Sequence, residues 1–165
     1  MAILNASGRI APDPADLPTF TGTPVRQLLT ARTMYRFAGS RTLRPGSSAS
    51  PNPHLGKWWF DARALDEIAE DLLEAVHDGT REQQRNVLAG PRTGLAVKQS
   101  WSNFAWFCKL TIKAGEQIEC WSGPAAPQQD HGSGFWEGLL PGGWTQYLIY
   151  DLHTVPSTMI QRMPT

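Results

Sequence analysis

The chain has 165 residues, 41% of them hydrophobic and 18% charged, which is enough for one globular domain with a core. Its 15 basic and 15 acidic residues cancel, so the net charge does not favour a nucleic acid or an anionic membrane as partner. No apolar run approaches the roughly 20 residues of a membrane span, and the first residues lack the basic and apolar regions of a signal peptide. We therefore expect a protein that is cytoplasmic where it is made or is exported by a route that needs no such signal; a domain cut from a longer chain is the other alternative.

The predicted elements begin after a segment that several prolines interrupt. We interpret residues 1–31 as an extended N-terminal arm or linker and residues 32–165 as a single domain. Alternation of side chains predicts a strand over 33–38 and a shorter strand over 57–60. In the strand over 33–38, Tyr35 and Phe37 point to one face, and Met34 and Arg36 point to the other.

Helical spacing follows the second strand. Apolar residues recur every three or four positions between residues 65 and 76, which predicts a helix over 61–79. A capping pair predicts a second, short helix over 80–88.

Alternation returns over 104–112 and 118–121, and it predicts a hairpin whose turn uses Gly115. Its register would set Cys108 opposite Cys120. We expect two buried thiols in a cytosolic protein, although an oxidising setting would allow a bond between them.

The last predicted strand covers 146–152, behind a long loop rich in glycine, proline and tryptophan. Two strands, two helices and then three or four antiparallel strands are typical of an α+β domain, here an antiparallel sheet with segregated short helices. A loop of this length is usually functional or disordered, and its aromatic residues favour function.

Arg36 is the first candidate for chemistry because it interrupts an otherwise apolar strand. Its guanidinium must reach solvent, pair with a carboxylate or meet an anion, and its planar fork suits bidentate binding of a phosphate. We weigh an exposed or ion-paired arginine and an anion-binding arginine equally.

Aromatic and amide side chains supply the other candidates. Trp58 and Trp59 point to opposite faces of their strand, so that one can lie in the core while the other stacks on a ligand ring. Gln146 follows two glycines that allow a backbone to approach a ligand closely, and Glu137 is a nearby carboxylate. A solvent-facing glutamine and a solvated carboxylate are the ordinary alternatives. Two cysteines and four histidines lack a metal-ligand spacing, so we expect no metal site.

Taken together, these motifs resemble the ADP-ribosyltransferase-like superfamily, and within it the NAD glycohydrolase toxins of the tuberculosis necrotizing toxin type and related interbacterial effectors. The matching segments are the Tyr-Arg pair at 35–36, GPAAP at 123–127 and GGWTQY at 142–147. The Ser-Thr-Ser and Glu-x-Glu elements of the arginine-directed transferases are absent, which argues for hydrolysis rather than transfer.

The resemblance implies a split antiparallel β-sheet whose cleft binds NAD or NADP as substrate, with no further cofactor. It makes residues 32–165 a catalytic domain that cleaves the nicotinamide–ribose bond. It also implies delivery to the cytosol of a target cell and a partner immunity protein. The implied catalytic residues are Gln146, Arg36 and Glu137, and the implied substrate-binding residues are Tyr35, Trp58, Trp59, Gly143 and Trp144.

Two other functions stay open on the sequence. One is an ADP-ribosyltransferase that modifies a protein or a nucleic acid. The other is a non-catalytic binding or immunity module whose tryptophan-rich loop is an interaction surface.

Overall fold

The computed structural model describes residues 2–5, 8–38, 56–61, 95, 106–130, 138–140 and 142–164. Their strands are β1 (Val25–Leu29), β2 (Arg32–Ala38), β3 (Trp58–Asp61), β4 (Trp106–Ile112), β5 (Ile118–Pro124), β6 (Gln128–Asp130), β7 (Gly138–Leu140), β8 (Thr145–Leu148) and β9 (Ile160–Pro164). Seven of them form an antiparallel sheet in the order β1-β5-β8-β3-β2-β4-β9, while β6 pairs with β7.

The short strand β3 joins the two halves of the sheet. Its residues Trp58 and Trp59 pair with β8, whereas Phe60 and Asp61 pair with β2. Each half is more extensive away from this junction, with seven residue pairs between β2 and β4 and five between β1 and β5. Four residues therefore set the register between the two halves.

The sheet buries side chains on both faces. We call one the core face, because a single cluster draws on both halves of the sheet there and is closed by residues that follow β8; it includes Leu29, Met34, Trp59, Cys108, Leu110, Ile118, Cys120, Tyr147, Ile149 and Leu152. We call the other the aromatic face; it carries Tyr35, Phe37, Trp58, Phe60, Phe107, Trp121 and Leu148. Because successive residues of a strand alternate between faces, each side chain of a strand can be assigned to one of them.

The prediction of an α+β fold with a split sheet is wrong. Seven of the nine described strands form one continuous antiparallel sheet, and the helical content of the described residues is three 3-10 turns at Leu17–Thr19, Leu152–Thr154 and Ser157–Met159. The predicted helices over 61–79 and 80–88 lie outside the described residues, except for Asp61. Asp61 is the last residue of β3 rather than a helix cap.

The predicted hairpin is also wrong, although both of its strands exist. A turn with Gly115 at φ +90° follows β4, but β4 then pairs with β2 and β9, and β5 pairs with β1 and β8. Alternation predicts strands, but it does not choose their partners. Cys108 and Cys120 therefore lie on strands that are not neighbours, and both are buried.

The segment predicted as an N-terminal arm is part of the fold. β1 is an edge strand of the sheet, and Phe20 packs in the cluster of the aromatic face. The buried Asn5 side chain bonds three backbone groups, the N–H and C=O of Glu119 and the C=O of Tyr150. The boundary predicted at residue 31 would separate Asn5, Phe20 and β1 from the sheet that they complete.

Candidate functional site

Arg36 lies on the core face of β2, in register with Cys108 of β4. Its Nη1 donates to the carbonyl of Trp58 at 3.1 Å, and its guanidinium covers the Cα of Gly56 so closely that a Cβ there would lie 2.6 Å from Nη1. The indole N–H of Trp59 holds the Gly56 carbonyl at 2.8 Å. The segment just before β3 therefore positions this arginine.

The Arg36 guanidinium is desolvated without a compensating acid among the described residues. Its Nε atom is enclosed and has no hydrogen-bond partner there, and none of the ion pairs of this part of the chain includes it. Burial lowers the pKa of Arg36 to about 10. Arg36 as a whole is half-buried, and a partly desolvated cation without an acidic partner is typical of a site that an anion completes.

The Nε and Nη2 atoms form one edge of a guanidinium, and that edge is the one that grips a phosphate or carboxylate with two parallel hydrogen bonds. In Arg36 the opposite nitrogen, Nη1, is already used by Trp58. The Nε–Nη2 edge is therefore the one without a partner among the described residues, with Nε enclosed by protein and Nη2 packed over Gly56. We call Arg36 with Gly56, Trp58 and Trp59 the Arg36 site.

The predicted aromatic ligands do not stand around this site as a group. Trp59 is 1% exposed and belongs to the core. Trp58 is half-buried on the aromatic face, where its ring lies 5.6 Å from that of Phe20. Tyr35 stacks on Phe107 at 5.4 Å on the same face. These rings pack against protein side chains instead of forming an open stacking surface.

Gln146 is buried on the aromatic face. It pairs in register with Gly123 of β5, and its side-chain Nε2 donates to the carbonyl of Thr19. Its neighbour Tyr147 points to the core face. The carboxamide therefore helps to hold the segment that leads into β1.

The two glycines before β8 differ: Gly142 approaches protein backbone closely, whereas a Cβ on Gly143 would meet nothing within 4 Å. Gly142 has φ +69°, and a Cβ on it would lie 3.0 Å from the carbonyl carbon of Ala125 and closer still to the oxygen. The N–H of Gly143 donates to that same carbonyl at 2.9 Å, and the carbonyl of Trp144 accepts from the N–H of Ala125. Glycine is needed here so that the turn can dock on the end of β5.

Arg36 and Gln146 consequently lie on opposite faces of one sheet. Arg36 shares its face with Met34 and Cys108 of the core cluster, whereas Gln146 bonds the segment beside Phe20 in the other cluster. The structure does not bring the two predicted catalytic residues into one cleft. Glu137, the third of them, lies outside the described residues.

A carboxylate–phenol pair on the core face was not among the predicted site residues. The hydroxyl of Tyr147 donates to Asp61 at 2.8 Å, and burial together with this hydrogen bond raises the pKa of Tyr147 to about 12. Asp61 stands in register with Met34, two residues along β2 from Arg36 and on the same face. The sequence shows Asp61 directly after an aromatic strand, but the helix predicted over 61–79 assigns it to the helix instead of to a site.

The described ranges contain no group of three or more metal-ligating side chains close enough to hold an ion. Within the same ranges, no helix is long and apolar enough to cross a membrane.

No protein-family model matches the chain, and no curated protein matches it. Among solved structures, the chain is similar to Rhs1-CT in complex with its cognate immunity protein RhsI1. The identity is 15%, the alignment covers 88% of this chain and 80% of that one, and the TM-score is 0.41. A TM-score this low does not establish a shared fold.

Proposed function

We propose that this chain is a toxin domain that cleaves the nicotinamide–ribose bond of NAD or NADP, with Arg36 bound to a phosphate of the substrate. The observation that carries the proposal is the enclosed guanidinium of Arg36, whose Nε has no partner among the described residues and which no carboxylate there neutralises. The resemblance of the motifs to NAD glycohydrolase toxins supplies the substrate class.

The reaction asks for positioning and for stabilisation of positive charge. Nicotinamide leaves as a neutral group, the ribose passes through an oxocarbenium-like state, and water then adds to the same carbon. A clamp on the phosphates holds the reacting bond in place, and such positioning supplies several kcal/mol. Arg36 provides this clamp in the proposal.

A carboxylate near the ribose would stabilise the developing cation. Asp61 is our candidate because it shares the core face with Arg36 and its carboxylate is already oriented by the Tyr147 hydroxyl. Gln146 has no such role in this proposal, since its carboxamide serves Thr19 on the other face.

The test is release of nicotinamide from NAD and from NADP by purified protein. We expect turnover by the wild type, loss of at least tenfold in kcat/KM for Arg36→Gln, and near-wild-type turnover for Gln146→Ala at a temperature where both variants are folded. Absence of nicotinamide above the buffer blank from folded wild-type protein would remove the hydrolase. An active Arg36→Gln beside an inactive Gln146→Ala would move the site to the aromatic face.

Two cellular consequences belong to the same proposal. Expression in a cytosol should deplete NAD and arrest growth, and Arg36→Gln should relieve the arrest. A producing cell would then need an immunity protein that blocks the site. Transfer of ADP-ribose to a macromolecule, seen as label from biotinylated NAD on protein or nucleic acid, would instead identify a transferase.

A further inference from the structure

The edge strand β1 exposes apolar side chains on both faces of the sheet. Val25 is 66% exposed on the core face, and Leu28 is 45% exposed on the aromatic face. Among the described strands, β1 pairs with β5 alone, so one side of its backbone is left for another strand. Exposed edges of this kind are templates for pairing with a further chain.

β1 has only part of the protection that edge strands usually have. Natural edge strands are short or carry charged residues, proline or a bulge, each of which discourages pairing, and β1 is short with one charged residue, Arg26. The sequence of β1, VRQLL, has neither lysine nor proline, and its register with β5 runs without a bulge from Val25 to Leu29. The opposite edge strand, β9, ends in Pro164. The two edges of the sheet are therefore not equivalent.

The charge on β1 indicates what would pair with it. Arg26 donates from Nε and Nη2 to the carboxylate of Glu119, but the Glu119 side chain is 5% exposed while that of Arg26 is 56% exposed. The carboxylate of Glu119 is thus enclosed, whereas more than half of the Arg26 side chain is exposed to solvent. A further carboxylate beside Arg26 would meet an accessible guanidinium.

A second copy of this chain fits the edge poorly. If two β1 strands paired antiparallel about their central residue, Gln27, the two Arg26 side chains would be diagonal neighbours on one face and would repel each other.

We propose that the free edge of β1 docks an extended strand of a partner protein, which places a carboxylate beside Arg26 and apolar side chains over Val25 and Leu28. The backbone bonds of the added strand supply affinity, and the carboxylate fixes the register. This inference does not depend on the proposed hydrolase activity.

The probe is a synthetic eight-residue peptide of alternating valine and threonine with one central glutamate, titrated into the 15N-labelled full chain. We expect amide shifts centred on Val25–Leu29, protection of β1 amides from hydrogen exchange, and a dissociation constant below about 1 mM. Val25→Lys, which lies on the face opposite the Arg26–Glu119 pair and leaves that pair in place, should weaken binding at least tenfold. The matched control is Ile10→Lys, which replaces another exposed apolar residue and should leave binding unchanged.

The same peptide with lysine in place of glutamate should bind at least tenfold more weakly. Absence of β1 shifts at 1 mM of the glutamate peptide would overturn the proposal, as would equal binding of the two peptides. Shifts of the β1 amides on simple dilution of the protein would assign the edge to a second copy and also overturn it. Nicotinamide release, measured in parallel, tests the other proposal separately.

Discussion

Substitution of Gly56 by alanine is the most direct perturbation of the Arg36 site that leaves Arg36 itself in place. The Cβ of the new alanine would lie 2.6 Å from Nη1 of Arg36 and closer still to Cζ and Nη2. Such separations are shorter than van der Waals contact, so one side must give way. The guanidinium is the end of a flexible side chain, and we expect it to move.

The displaced guanidinium would lose its hydrogen bond to the Trp58 carbonyl. It would also lose the orientation in which it binds the proposed anion. A hydrogen bond to a charged group contributes about 1.5–3 kcal/mol. With about 1.4 kcal/mol for each factor of ten, loss of one such bond to a phosphate weakens binding by roughly 10- to 150-fold. The free energy of unfolding should change less than the binding free energy, because the freed cation regains water.

Calorimetric titration with pyrophosphate and with NAD measures this effect, and thermal unfolding shows that the variant is folded. Arg36→Lys supplies the control, since it keeps a charge but removes the fork. If Gly56 acts through Arg36, the double variant should bind no more weakly than Arg36→Lys alone, because the two substitutions remove the same interaction. A folded Gly56→Ala protein with wild-type affinity for pyrophosphate would refute the reasoning.

Three further predictions concern residues that hold the fold around the site. Asn5→Ala removes three hydrogen bonds to enclosed backbone groups and should lower the free energy of unfolding in urea by about 3 kcal/mol; an unchanged midpoint would show that the N-terminal segment is not docked. Tyr147→Phe should lower the free energy of unfolding at pH 7 by about 1 kcal/mol, because it removes the hydrogen bond to Asp61. Because the folded-state pKa of Tyr147 is raised to about 12, its contribution is complete below pH 10 and lost as pH rises through 12, so wild type and Tyr147→Phe should converge in stability over that window. Gly143→Ala should lower the free energy of unfolding by about 1–2 kcal/mol, the cost of a left-handed backbone, because its Cβ would meet nothing within 4 Å. Gly142→Ala should lower it by more, because its Cβ would also meet the backbone of Ala125. Equal melting temperatures of the two variants would contradict this.

Local pattern in the sequence predicts the individual strands well. The strands predicted over 33–38, 57–60 and 118–121 are confirmed to within three residues at each end, because alternation of side chains depends on each strand's own two faces. The predicted separation of Tyr35 from Arg36 onto opposite faces is confirmed for the same reason.

Strand partners and burial of the N-terminal segment depend on contacts that are distant in sequence. The turn at Gly115 has the conformation of a hairpin turn, yet its two strands bond β2 and β1 instead of each other. Asn5 contacts residues more than 100 positions away. Composition and spacing do not show contacts between residues so far apart in sequence, and they therefore predict an arm for the segment rich in prolines.

Whether Arg36 and Gln146 share a face depends on the register across three strands. From β2 to β8 that register passes through β3, which offers two residue pairs to each neighbour. A slip of one residue on either side of β3 would move Gln146 to the face of Arg36. The motifs place both residues on strands, as the structure does. They do not specify the strand register, which decides the face of the sheet that each residue occupies. The chemistry of the Arg36 site must therefore come from side chains in phase with it, and in the described chain the polar residues on β3 and β8 that meet this condition are Asp61, Thr145 and Tyr147.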